Sequence, residues 1–159
     1  MIRIGISACL TGAPVRYDGR AATIEHALLD AWKAEGRLMP VCPEVLGGLP
    51  TPRPSAERRD SRVVTESGED QTEAFATGAA QAVKTLRSAG VAGVILKTKS
   101  PSCGLGKIYD GSFQGRLIDG DGLFALAAKA AGLAVFRDDQ ILAVSDWLAT
   151  FNQTLEEIT

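Results

Sequence analysis

Four short apolar runs punctuate this chain, and stretches with helical period lie between them. Ile2-Arg3-Ile4-Gly5-Ile6-Ser7, Leu38-Met39-Pro40-Val41, Val91-Ala92-Gly93-Val94-Ile95-Leu96 and Leu133-Ala134-Val135-Phe136 have the length and character of buried parallel strands. Between the first two runs, Ile24, Ala27, Leu28, Ala31 and Trp32 fall at the spacing of one buried helical face, with Thr23 as the expected cap and Gly36 as the stop. Asp70 and Glu73 form a capping-box pattern before Phe75, Ala79, Ala82, Val83 and Leu86, and Gly90 closes that helix. Asp121 is placed to cap a helix running through Lys129 to Gly132. The remainder, Asp138 to Thr159, reads as helical with Ser145 as a cap. This order, β-α-β-α-β-α-β plus a helical tail, predicts an α/β protein. The expected form is a single domain over residues 1–159, a three-layer Rossmann-like fold with a mostly parallel sheet of about four strands.

Length and composition agree with that reading. A chain of 159 residues suits one domain with a real core, and 45% apolar against 23% charged residues excludes disorder. A net charge of −2 argues against a duplex nucleic-acid binder, which needs clustered positive charge. No apolar stretch reaches membrane-spanning length, and Met1-Ile2-Arg3 runs straight into the first strand without a leader's apolar region. The expectation is a soluble cytoplasmic protein, monomer or homodimer, with a small-molecule substrate and neither nucleic acid nor membrane as partner. In that compartment three separated cysteines are not a disulfide framework, and metal binding or catalysis gains weight.

The placement of those cysteines carries most of the information. Cys9, Cys42 and Cys103 each follow a predicted strand and precede a chain-breaking residue. If the strands pair in one parallel sheet, all three thiols leave it at the carboxyl edge, where open α/β sheets place their ligands. The bland reading of any one is a small buried hydrophobe. Zinc usually takes closely paired ligands, and a redox pair would show Cys-x-x-Cys; neither spacing occurs here. Iron–sulfur clusters gather thiolates from separate loops, although they normally take four. Three would leave one iron open.

His26 is the only histidine and falls off the buried face of its helix, which disfavours a Cys-His nucleophilic pair. Glu44, two residues from Cys42, is either an exposed loop glutamate or a carboxylate entering the same site. Asp18 before Gly19 and Asp110 before Gly111 read most simply as turn residues. Ser100 and Ser102 flank Pro101 and have the simple alternative of capping loop backbone. Lys97, Lys99 and Arg53 are solvated charges or, near a thiolate cluster, groups that offset its charge and attract an anion. The segment Cys42 to Pro54 carries too much Pro and Gly for a regular element, and long loops of that kind are usually functional.

Taken together, Ile6-Ser7-Ala8-Cys9-Leu10-Thr11-Gly12, Arg16-Tyr17-Asp18-Gly19, Val41-Cys42-Pro43-Glu44, Gly47-Gly48-Leu49-Pro50-Thr51-Pro52-Arg53 and Lys99-Ser100-Pro101-Ser102-Cys103-Gly104 resemble the thiouracil desulfurase family. The likeness extends through Ile108-Tyr109-Asp110-Gly111-Ser112-Phe113 and covers nearly the whole chain, with Thr11 standing where a bulky aliphatic residue is common. It implies an oxygen-sensitive [4Fe-4S] cluster held by Cys9, Cys42 and Cys103, with the fourth iron free of protein. It also implies removal of sulfur from 2-thiouracil or related thiolated pyrimidines, giving uracil and hydrosulfide. Glu44 and Ser100 match the positions that the family uses in catalysis, and Asp18 is the next carboxylate in line.

The chemistry is coherent. A thiocarbonyl sulfur is soft, so an open iron is a suitable Lewis acid for it. Water deprotonated by Glu44 would attack the activated ring carbon, with no net electron transfer. The alternative from another class is an iron–sulfur sensor without catalysis. Such a sensor usually needs a partner surface or a nucleic-acid domain, and the chain shows no evident one.

Overall fold

The computed structural model describes residues 1–158, with side chains described through residue 151. Four strands, β1 (Ile4–Ser7), β2 (Leu38–Val41), β5 (Gly93–Leu96) and β8 (Ala134–Arg137), form a parallel sheet in the order β2-β1-β5-β8. The chain leaves β1 toward β2, then crosses back to β5 on the other side of β1. The order therefore reverses between β1 and β5, which makes their carboxyl ends the natural ligand crevice. Pro40 lies in β2 at the sheet edge, where a missing N–H disturbs least.

Side chains alternate across this sheet and build two separate apolar layers. Ile4, Ile6 and Ile95 pack with Leu29 and Trp32 of α1 (Ala27–Ala34) and with Ile141, Val144 and Leu148 of α5 (Ile141–Ile158). On the opposite face, Val94 and Leu96 pack with Ala82 and Leu86 of α3 (Thr72–Ser88) and with Phe124 and Ala128 of α4 (Leu123–Ala130). The expected three-layer α/β sandwich with four strands is present, and the sheet is wholly parallel.

Two hairpins extend the fold beyond what periodicity indicates. β3 (Ala56–Arg59) pairs antiparallel with β4 (Arg62–Thr65), and β6 (Lys107–Tyr109) with β7 (Leu117–Asp119). Inside the Pro- and Gly-rich segment expected to be irregular, Pro43–Leu46 forms a one-turn helix, α2, with Cys42 as its N-cap. Pro43 stands at the first helical position, where its lack of an N–H costs nothing.

Several expected caps are displaced, each for a local reason. α1 begins at Ala27, and His26 caps it by accepting the Leu28 N–H on Nδ1 at 3.1 Å. Its buried residues are Leu29 and Trp32, while Ala27 and Ala31 are exposed. Asp70 is still bridged to Val64 in extended backbone, so α3 starts at Thr72 and the capping box with Glu73 does not form. Asp70 instead accepts the Thr72 N–H at 2.9 Å. Gly122 takes the N-cap of α4, because a Cβ there would stand 2.2 Å from the Ser102 carbonyl oxygen. Asp121 turns aside to accept the Gly106 N–H at 2.8 Å and to pair with Lys129 at 2.7 Å. Ser145 lies inside α5, which already begins at Ile141, and Thr159 at the end of the predicted tail lies outside the described residues. No helix among the described residues is long and apolar enough to cross a membrane.

Candidate functional site

The parallel sheet delivers three short apolar strands to one edge, and each is followed by a cysteine. Cys9 lies in the 3-10 turn Ala8–Thr11 directly after β1, Cys42 caps α2 directly after β2, and Cys103 lies in the turn after β5. All three line a cavity of about 260 Å³ together with Glu44 and Ser100. Cys9 and Cys103 are buried, Cys42 is half-buried, and all three are free thiols. Burial raises the Cys9 thiol to about 11, against the lowering pull of Lys97. It raises Cys42 as well, opposed by the Val45 backbone amide, and Cys103 more strongly still. Such thiols lose their protons when a cation offsets the desolvation, as in metal binding coupled to proton release.

Among the described residues, no three His, Cys, Asp or Glu side chains are grouped to hold a single metal ion. Three thiols on three separate loops around one cavity instead suit a multi-iron sulfur cluster, whose size lets it collect distant thiolates. The donor chemistry fits such a cluster.

α2 holds Cys42 and Glu44 against α3 by direct backbone packing. A Cβ on Gly78 of α3 would stand 1.8 Å from the Pro43 carbonyl oxygen, and one on Gly47 would stand 2.1 Å from that of Ala74. Two glycines facing each other let the helices touch at this point. Gly78 was detectable in the sequence as a glycine inside a helical pattern, which usually marks close packing.

Glu44 is held by Arg53. Its Oε2 receives the guanidinium Nε at 2.7 Å and Nη2 at 2.5 Å, while among the described residues Oε1 takes no hydrogen bond. Arg53 is not a solvated charge. It is buried and also donates to the carbonyls of Pro50 and Val15 and to Thr51 Oγ1. One carboxylate oxygen is thus fixed and the other is left open. A charge-assisted pair of this kind sets orientation as well as energy.

Ser100 shapes the turn that carries Cys103. Its Oγ accepts the N–H groups of Ser102 and Cys103, both at 3.0 Å, so its acceptor sites face its own loop and its hydroxyl proton stays free to donate. The first amides of α4, from Leu123 and Phe124, bind the carbonyls of Pro101 and Ser102 and fix the same turn from behind. Ser7, fully buried at the end of β1, accepts the Lys97 N–H at 3.0 Å and ties β1 to the start of that loop.

Not every sequence candidate reaches the cavity. Asp18 is exposed, accepts the Arg20 N–H at 3.0 Å and does not line it, as expected of a turn residue. Asp110 similarly closes a turn through Ser112. His26 is occupied as a helix cap and also lies outside the lining. Lys97 and Lys99 do line it. Glu57 is a buried carboxylate in the cavity wall that carries no signal in the sequence. It stands in the polar run Ala56-Glu57-Arg58-Arg59, and no periodic signal separates one buried carboxylate from its charged neighbours.

Comparison with known proteins places this geometry. Residues 4–140 match the 2-thiouracil desulfurase family. The uncharacterized protein YbbK of Bacillus subtilis (strain 168) is 39% identical, over 86% of this chain and 95% of that protein. Among solved structures, a [4Fe-4S]-dependent thiouracil desulfidase, TudS, superposes with a TM-score of 0.92 at 46% identity, covering 94% of this chain and 99% of that one.

Proposed function

Because the chain belongs to the 2-thiouracil desulfurase family, we propose that it hydrolyses the thiocarbonyl of a 2-thiouracil-type pyrimidine, with Cys9, Cys42 and Cys103 as the residues that hold a [4Fe-4S] cluster. The observation that carries this reading is the convergence of three thiols from three strand ends on one cavity that also contains a carboxylate with one free oxygen. When bound, the cluster supplies an iron without a protein ligand, a soft Lewis acid suited to sulfur.

The protein's own groups supply the rest. Glu44 Oε1 accepts a proton from water while Arg53 fixes the carboxylate through Oε2. The hydroxide adds to the ring carbon of the thiocarbonyl, and collapse of that adduct breaks the C–S bond. Thiouracil and water become uracil and hydrosulfide with a proton, and no electron is gained or lost. Ser100, with its acceptor sites filled by backbone amides, presents its hydroxyl proton to the bound ring or to the departing sulfur. Lys97 and Lys99 line the same space and offset its negative charge.

The test is direct. Protein reconstituted anaerobically with iron and sulfide should release hydrosulfide and uracil from 2-thiouracil over many turnovers. A cluster that loads fully yet leaves thiouracil intact would overturn the enzymatic reading and favour a sensor.

A further inference from the structure

We propose that Glu57 recognises the substrate, its Oε2 accepting a ring N–H of the thiolated pyrimidine. This rests on the desulfuration reading and names a specificity group for the same site.

Glu57 lies on β3, only 8% exposed, in the wall of the cavity that holds Glu44 and the three cysteines. Its Oε1 accepts two backbone N–H groups, from Gly111 and Phe113, each at 3.1 Å. Among the described residues, Oε2 takes no hydrogen bond, and no lysine or arginine forms an ion pair with this carboxylate. Oε2 is not sealed from solvent, and in the cavity wall it is an acceptor open to a ligand's donor.

The frame around the carboxylate is stiff. Arg59 Nη2 donates to the Gly111 carbonyl at 2.7 Å and locks the two hairpins together. Gly111 has φ +91°, and a Cβ there would stand 2.8 Å from the Arg58 carbonyl oxygen. Phe113 is held at φ +59°, an uncommon conformation for a bulky residue, in the turn whose N–H reaches Glu57. The orientation of the carboxylate is therefore set before any ligand arrives. Phe75, Pro54 and Tyr109 line the same cavity and give it the apolar faces that suit a flat heterocycle.

Glu44 is not equivalent to Glu57. Its fixed oxygen is occupied by Arg53, and its free oxygen is assigned to water. Glu57 has the complementary arrangement, with neutral amides on one oxygen and full acceptor capacity on the other. A 2-thiouracil-type ring carries N–H groups on both sides of its thiocarbonyl, and an acceptor aimed at one of them both orients the ring and rejects alkylated analogues.

Glu57→Gln tests this with little change of shape. The side-chain oxygen must still accept the Gly111 and Phe113 amides, so the new NH2 group replaces Oε2 and faces the substrate donor with a donor. The expected result is unchanged iron content and melting temperature. Uracil affinity, read by calorimetric titration of the holoprotein, and kcat/KM for 2-thiouracil should each fall about 10- to 100-fold, the worth of a hydrogen bond to a charged group. Unchanged uracil affinity and unchanged KM would reduce Glu57 to a hairpin anchor and overturn the proposal. A second measurement needs no variant: wild-type protein should reject one of the two ring-N-methyl isomers of 2-thiouracil. Equal turnover of both isomers and the parent would overturn the proposal even if Glu57→Gln fails to fold. Loaded wild-type protein that neither turns over 2-thiouracil nor binds uracil would instead defeat the desulfuration reading itself.

Discussion

The cavity has two walls of different origin. One is the carboxyl edge of the parallel sheet, where β1, β2 and β5 release Cys9, Cys42 and Cys103. The other belongs to the two antiparallel hairpins and brings Glu57 and Tyr109. In the first wall β1 and β5 are buried along their whole length, with β2 beside β1 at the sheet edge, so its geometry follows from the same packing that stabilises the domain. The second is docked onto that core by polar contacts, among them the Arg59–Gly111 bond and the two amides on Glu57. A sheet edge supplies soft donors in fixed positions, whereas the hairpins supply directional acceptors. In the proposed reaction the first wall holds the cofactor and the second reads the pyrimidine.

This division is easiest to break at the cysteines, where the largest effect is expected. Each of Cys9→Ala, Cys42→Ala and Cys103→Ala should lose most of its iron and acid-labile sulfide after anaerobic reconstitution, and with it all turnover. If two of the three variants keep four irons, the three strand ends do not form one site.

Glu44 lies on the first wall but is not expected to hold iron. Glu44→Gln should keep the cluster and lower sulfide release per cluster by ~10²–10⁴-fold, the usual range for loss of a general base. Near wild-type turnover would remove Glu44 from the reaction. Ser100→Ala should be milder in rate, because water can replace a hydroxyl donor. It also leaves the Ser102 and Cys103 amides without their acceptor, at about 1 kcal/mol for each lost bond, so thermal unfolding should shift as well.

The smallest effect sharpens the boundary of the site. Asp18 is exposed and serves a turn through the Arg20 amide. Asp18→Asn should therefore leave cluster content and turnover close to wild type. A loss comparable with that of Glu44→Gln would bring the Arg16–Gly19 turn into the chemistry.

Much of the first wall was legible in the linear chain. Short apolar runs, three of them followed by a loop with a cysteine, are local patterns, and parallel strands buried in a sheet have a composition that survives any detail of packing. The helices between them were legible for the same reason, while their caps were not. Asp70 and Asp121 have the right residue type for a cap, yet each is claimed by a tertiary contact, a bridge to Val64 in one case and Lys129 with the Gly106 amide in the other. Intrinsic preference decides a helix end only where nothing else competes for the side chain.

What the sequence by itself determined was the order of the four sheet strands and the helices that cover them, the sheet edge and the three thiols upon it, because hydrophobic period and strand length act between near neighbours. Only the tertiary structure decided that Arg53 is buried against Glu44 rather than solvated, and that Gly78 and Gly47 bring α2 onto α3. Glu57 belongs with them, facing the cavity from a run of charges. Each of those facts joins residues that lie far apart in the chain or depends on which face of a hairpin meets the core. Burial of a polar group is a property of the partners it finds, and those partners exist only once the chain has folded.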